Sequence, residues 1–276
     1  MAEARRQRVS APVITDRAFA ALRERFQSST GISLGADKKA LVEARLRARV
    51  VAKAQGSFNK YCEYLERADD GSEHQAVIDL LTTNETYFFR EPRHFAVLAH
   101  EARTRFAHGK LRVWSAACST GEEPYSLAMT LLDQRPRLPW EVHASDISSR
   151  VLEQARLGVF PLQRLEHMPK GYLERFCLRG RGNYEGKLRV SDEVRNRVQF
   201  YLHNLLGSAR PPSTFDVVFL RNVLIYFDQD RKLELLQKVL ASLVPGGLLF
   251  VGHAEPLHSL TLPMRRIADA VFEKTG

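Results

Sequence analysis

Hydrophobic positions change period near residue 82. Before it, apolar side chains recur at helical spacing: Phe19, Leu22 and Phe26, then Phe58, Tyr61, Cys62 and Leu65, then Val77, Leu80 and Leu81. Thr15-Asp16 and Ser57 stand where helix N-caps belong, and Asp37 opens a helix expected to run to about Ala54. No strand pattern interrupts this stretch, so 13–82 is expected to be a small all-helical unit. From Leu111 onward, short apolar runs alternate with helical ones. Strands are expected at 111–117, 140–145, 198–203, 215–220 and 248–252, with helices at 122–132, 147–157 and 228–243. That order predicts an α/β fold: a mainly parallel, doubly wound sheet covered by helices on both faces. Ligands of such sheets sit at the carboxyl ends of the strands.

The rest of the chain falls around these two patterns. Residues 1–12 read as a disordered basic arm, because they lack the apolar stretch of a secretory leader. Residues 83–110 form a linker and a helix, expected at 93–106 after Pro92, and 111–276 hold the sheet. Within the sheet unit, 158–197 breaks the alternation. A helical piece at 170–177 precedes Gly180, Gly182 and Gly186, which separate short strand-like runs, so a small β insertion is expected. Segments this long inside a compact unit are usually functional, and this one is read as holding a partner.

The stretch 111–128, LRVWSAACSTGEEPYSLA, runs from strand through small residues into a helix N-terminus. Gly121 can take a positive φ there, and Pro124 is tolerated in the first helical turn. The phosphate-binding GxGxxG is absent, and Glu122 and Glu123 stand where a phosphate would want no acid. A ligand with a cationic group fits better, and S-adenosylmethionine, with its sulfonium and amino-acid tail, answers that description. On this stretch alone an ordinary strand-to-helix turn remains open.

Charge adds a second theme. The 276 residues carry a formal net charge of +9, which suits an acidic partner, nucleic acid or protein. No apolar run approaches the ~20 residues of a membrane span, so no membrane insertion is expected. The three cysteines, Cys62, Cys118 and Cys177, are scattered. They suit a reducing, cytoplasmic setting and no zinc site. On the helix after Asp37, Lys38, Arg45, Arg49 and Lys53 fall within about 80° of arc, and Glu43 is its only acid. A solvated face and a docking face for an acidic partner both explain that stripe.

Chemistry concentrates at the strand ends. Asp146 closes the second strand, where an acid can accept from both hydroxyls of a ribose, or cap the following helix. Asn204-Leu205 ends the third strand, where an adenine edge and face would lie. Arg221-Asn222 ends the fourth, which neighbours the first in such folds. That pair is expected on the cofactor side, with Asn222 near the sulfonium. Upstream, TTNETYFFR (82–90) places Asn84, Thr86 and Arg90 around an aromatic cluster, Tyr87, Phe88 and Phe89. An arginine in that setting has a specific anionic partner.

These motifs together carry a resemblance. LLTTNETYFFREPRHF, VWSAACSTGEEPYSLAM, ASDIS, FYLHNLL, FDVVFLRNVLIYF and LVPGGLLFVGHAE, in this order, resemble the chemotaxis receptor methyltransferases of the CheR type over nearly the whole chain. The resemblance implies a class I, S-adenosylmethionine-dependent methyltransferase fold and protein-glutamate O-methylation, leaving S-adenosylhomocysteine. It implies that Asn84, Thr86 and Arg90 contact the cofactor, with Arg90 near the methionine carboxylate. Asp146 would hold the ribose, Asn204 and Leu205 the adenine, and Asn222 the methionyl side. Glu122 or Glu123 would meet the amino group. The substrates would be glutamates on acidic chemoreceptor helices, met by the basic N-terminal helix. The β insertion would take a receptor C-terminal peptide in some members, and a regulatory protein is a further possible partner. The acidic-x-Gly-x-Gly turn of the wider methyltransferase class is replaced here by Ser115, Ala117 and Ser119. A glutamate carboxylate is already ionised near neutral pH, so no metal and no general base is expected. Tyr226 is the candidate orienting hydroxyl. A monomer is the default. A nucleic-acid methyltransferase and a non-catalytic cofactor sensor are the rival readings.

Overall fold

The computed structural model describes residues 12–67, 71–257 and 260–276. Apart from Pro12, the arm expected at 1–12 lies outside the described residues. The chain divides into two compact units, one ending at Thr82 and one beginning at Thr83.

The first unit is all helical among the described residues: α1 (Asp16–Thr30), α2 (Lys39–Ala54), α3 (Phe58–Arg67) and α4 (Ser72–Leu81). Thr15 caps α1 by accepting from Ala18 N at 3.1 Å, and Ser57 Oγ accepts from Lys60 N at the start of α3. The helices bury Phe19, Leu22, Phe26, Leu46, Val50, Phe58, Tyr61 and Leu65 in one core. The basic stripe on α2 is not a uniform solvent face. Arg45 donates to the carbonyls of Leu81 and Thr82, at the end of α4, at 3.0 and 3.1 Å. Arg49 pairs with Glu73, which is only 2% exposed and also accepts from Tyr61 Oη at 2.6 Å. Periodicity within α2 could not reveal an acid supplied by α4. Lys38 and Lys53 remain exposed.

The second unit runs α5 (Pro92–Arg103), β1 (Leu111–Ala116), α6 (Glu122–Gln134), β2 (Trp140–Asp146) and α7 (Ser149–Leu157), then the insertion. The insertion comprises β3 (Val159–Pro161), α8 (Tyr172–Phe176), β4 (Cys177–Arg179), β5 (Lys187–Val190) and α9 (Asp192–Arg195). After it come β6 (Val198–Leu202), β7 (Phe215–Leu220), α10 (Gln229–Ala241), β8 (Leu243–Val251), β9 (Met264–Ala268) and β10 (Val271–Lys274). The main sheet has the order β6-β2-β1-β7-β8-β10-β9. Its first five strands pair in parallel, and the β9–β10 hairpin adds an antiparallel edge. All but one residue of each of β1, β2 and β7 is buried, as expected of parallel strands covered on both faces, although only β7 is apolar at nearly every position. The insertion is a three-stranded antiparallel sheet, β3-β5-β4.

Two strand expectations change. Pro245-Gly246-Gly247 lies inside β8 rather than before it, at an irregularity where Phe215 pairs with Leu243 and Val217 with Leu248. The apolar period resumes after the glycines, which is why the strand reads as starting late. The β9–β10 hairpin gives no hydrophobic alternation in sequence, since Arg265 and Arg266 sit on its exposed edge. None of the described helices is long and apolar enough to cross a membrane.

Candidate active site

The site is built where β1, β2, β6 and β7 end. After β1 the chain turns through Ala117 (φ 65°), Ser119 (φ 51°) and Gly121 (φ 100°), all left-handed. Only Gly121 is free of Cβ strain there, and space decides too: a Cβ would lie 2.9 Å from Ala155 Cβ. The turn is fastened to β2. Cys118 N donates to Ser145 O at 2.8 Å, and Ser119 N to Asp146 Oδ2 at 2.9 Å. Ser148 N donates to the other Asp146 oxygen at 2.9 Å. Asp146 is 5% exposed, and its carboxylate is aimed by two loops at once. It does not cap α7; Ser148 takes that position. His203 N donates to Asp146 O at 2.9 Å, which brings Asn204 and Leu205, after β6, next to the same carboxylate-bearing corner. Asn204 Oδ1 accepts from Leu206 N at 3.0 Å.

The two acids of the turn diverge. Glu122 accepts from Thr120 Oγ1 at 2.6 Å and from Arg164 Nη1 at 2.8 Å. Glu123 accepts from Ser115 Oγ at 2.7 Å and from Arg221 Nη1 at 2.9 Å. Burial pushes both carboxyls above their usual range, opposed by the arginine beside each. Arg164 belongs to the insertion and also donates to Thr86 O at 2.6 Å. Ser119 Oγ donates to Asn84 O at 3.1 Å. The 84–90 segment is thereby tied to the β1 turn.

Arg221 is not a pocket-facing arginine. Its side chain is 1% exposed, 3.0 Å from Glu91 Oε2 and 2.9 Å from Glu123, and it donates to Arg90 O. It welds three segments together. Arg90 itself lies over the Tyr87 ring at 5.7 Å and donates to Glu85 O at 3.0 Å. Asn222 adopts a left-handed φ of 57° and donates from Nδ2 to Glu91 Oε1 at 3.3 Å. Tyr226 ends a short 3-10 turn, Leu224–Tyr226, on the same loop. Of the expected residues, Asn84 and Asp146 are thus joined through Ser119, Thr86 and Glu122 through Arg164, and Arg90, Glu123, Arg221 and Asn222 through the Arg221–Glu91 pair. Tyr226 shares Asn222's loop. Three residues were not anticipated from sequence: Arg164, Glu91 and Glu255. An acid after a strand, as at Gly252-His253-Ala254-Glu255, was the available signal for the last.

Glu91, His94 and His253 place ligand-type atoms within 4.8 Å of one another. Arg221 already occupies the carboxylate of that group, and a second cation there would be repelled. His94 is buried edge-on against Phe250 at 5.6 Å, and desolvation, then the nearby Arg221 charge, push its pKa down to about 4. The unfolded state therefore takes up this proton at higher pH than the native state. Stability attributable to His94 is present above about 6.5 and is lost as pH falls toward 4, by up to about 1.4 kcal/mol per unit. His94→Phe keeps the ring contact, and urea titrations between those pH values should show a shallower loss than the wild type.

Comparison with known proteins gives the family of the chain. The family profile described as CheR methyltransferase, SAM binding domain, matches residues 84–270, and the CheR methyltransferase all-alpha domain matches 17–82. The chain belongs to the CheR methyltransferase family. It is similar to the chemotaxis protein methyltransferase of Salmonella typhimurium, 43% identical over 250 residues, covering 90% of this chain and 86% of that one. It is 44% identical over 258 residues to chemotaxis protein methyltransferase 2 of Pseudomonas aeruginosa, covering 92% and 91%. The Escherichia coli protein of the first name is 44% identical over 245 residues, covering 88% and 85%. As a CheR family member the chain is an S-adenosylmethionine-dependent methyltransferase, and its donor set fits that cofactor. A pinned carboxylate suits a ribose diol, and small left-handed residues in the β1 turn leave its backbone open to close approach.

Proposed function

We propose that this CheR protein transfers the methyl group of S-adenosylmethionine to glutamate carboxylates on the cytoplasmic helices of chemoreceptors. The observation that carries the reading is the Asp146 carboxylate, aimed by Ser119 N and Ser148 N beside the left-handed β1 turn. Asp146 holds the ribose, with Asn204 and Leu205 at the adenine. Arg90 takes the methionine carboxylate, with Asn84 and Thr86 shaping its segment and Asn222 on the methionyl side. Either Glu122 or Glu123 meets the amino group; each already has an arginine to offset the cost of keeping a buried carboxylate charged. Arg221 contributes by holding Arg90 and Glu123 in place.

When bound, the cofactor supplies a methyl group activated by a sulfonium. The acceptor glutamate is ionised near pH 7 and needs no proton removed. The protein aligns the carboxylate, with Tyr226 orienting it, and excludes water. Opposite charges cancel as the methyl moves, so neither a metal nor a general base is called for.

For the acidic receptor helix, the exposed Lys38 and Lys53 form the docking face, and Arg45 and Arg49, on the same arc, hold α2 against α4 by their bonds. The β insertion is the proposed seat of a receptor-tail peptide. The reading is tested by methyl transfer to receptor-containing membranes. The paired variant Lys38→Glu, Lys53→Glu refines it. Two reversed surface contacts of up to ~1 kcal/mol each should raise the KM for receptor roughly tenfold. Calorimetric affinity for S-adenosylhomocysteine should not move. An unchanged receptor KM would remove α2 from the docking face.

A further inference from the structure

Glu255 has no place in the roles described so far, yet it makes a dense set of contacts. It follows β8, is 5% exposed, and spends both carboxylate oxygens on backbone donors. Oε2 accepts from Asn222 N and from Gly252 N, each at 2.7 Å. Oε1 accepts from Leu224 N at 2.6 Å. β7 and β8 run in parallel with Leu220 opposite Val251, so the loops leaving them emerge side by side. One carboxylate clamps both.

The clamp acts at a strained point. Asn222 is a non-glycine residue in the left-handed region, a conformation that persists only where its surroundings enforce it. The carboxylate accepting its N–H supplies that enforcement. Gly252 leaves room for the arrangement: a Cβ there would lie 2.6 Å from Asn222 Nδ2 and 2.7 Å from Glu255 Oε2. From Asn222 the chain of bonds continues through Nδ2 to Glu91 Oε1, from Glu91 to Arg221, and from Arg221 to the carbonyl of Arg90. Each link lies on the methionyl side of the proposed site. None of the bonds Glu255 makes here reaches Asp146, Asn204 or Leu205.

We propose that Glu255 is a positioning residue for the amino-acid half of the cofactor, acting through the Asn222 turn and leaving the nucleoside half untouched. This rests on the site reading above. In Glu255→Gln the amide NH2 replaces an acceptor and opposes one of the three N–H groups, so the turn relaxes.

The test is calorimetric binding of S-adenosylhomocysteine and of 5′-methylthioadenosine, which lacks the amino-acid half, to the full chain. For Glu255→Gln, affinity for S-adenosylhomocysteine should fall about tenfold or more, as for one lost hydrogen bond to a charged group. Affinity for methylthioadenosine should stay within about twofold, since the nucleoside contacts are intact. Equal losses for both ligands, or no loss for either, would overturn the proposal. Gly252→Ala presses on the same clamp from within the loop after β8, against Asn222 Nδ2 and Glu255 Oε2, and should give the same selective loss; it serves if Glu255→Gln does not fold. A wild-type chain that bound neither ligand would overturn the site reading itself, and that result is read without any variant.

Discussion

Asp146→Asn is expected to weaken binding of S-adenosylhomocysteine by roughly 100-fold or more. Two ribose hydroxyls donating to a carboxylate are hydrogen bonds to a charged group, worth ~1.5–3 kcal/mol each, and the amide loses the charge from both. About 3 kcal/mol corresponds to that factor. The substitution also disturbs the scaffold. Both oxygens of Asp146 accept backbone N–H groups, and an amide nitrogen at either position would face a donor at Ser119 or Ser148. A drop in stability of ~1–3 kcal/mol should accompany the loss. Isothermal titration with circular dichroism separates the two effects: the affinity should be down by that factor at temperatures where the variant is still folded. An unchanged affinity would remove Asp146 from the ribose.

Arg221→Met is expected to destabilise the second unit strongly. Arg221 is buried between Glu91 and Glu123, and removing it strands two carboxylates. Breaking a buried pair in this way costs ~3–5 kcal/mol. For a unit of this size that lowers Tm by roughly 6–20 °C. The pH dependence has a definite sign. Burial already raises the folded-state pKa of Glu123 above its unfolded value, and Arg221 opposes the rise. Without the arginine the rise is larger, so the native state takes up the proton more readily than the unfolded chain. The deficit should therefore be greatest at neutral pH and shrink as pH falls. Adding Glu123→Gln should recover part of the lost Tm, because the two positions are in direct contact. Equal deficits at neutral and acidic pH, with no recovery in the double variant, would mean that Arg221 acts through packing alone.

The sequence was most legible where local chemistry decides structure. The strand expected at 215–220 is β7 residue for residue, since a buried parallel strand is mostly apolar and here only Asp216 interrupts the run. The places of Asp146, Asn204 and Asn222 were readable because Asp146 closes β2 and the two asparagines follow closely on β6 and β7, where a doubly wound sheet presents its ligand face. The turn around Gly121 was readable from its small residues. What stayed hidden is long-range pairing. Arg221 looked like a cofactor ligand from its position, but its partners Glu123 and Arg90 lie 98 and 131 residues away in the chain. Arg49 looked like part of a free basic face until α4 supplied Glu73. Arg164 gave no signal at all, because nothing near it in sequence hints at Glu122. The β9–β10 hairpin was missed for a different reason. Its turn uses Ala270 at φ 52° in place of the Asn-Gly or Asp-Gly signature.

The central claim is that a receptor carboxylate accepts the methyl group. Its most direct test is transfer from S-adenosylmethionine, radiolabelled in the methyl group, to chemoreceptor-containing membranes, followed by alkali. Carboxyl methyl esters release volatile methanol in base, whereas N-methyl groups on protein or nucleic acid do not. The account predicts base-labile label on a receptor-sized band, lost in Asp146→Asn. Base-stable label on nucleic acid or on an amine would contradict it.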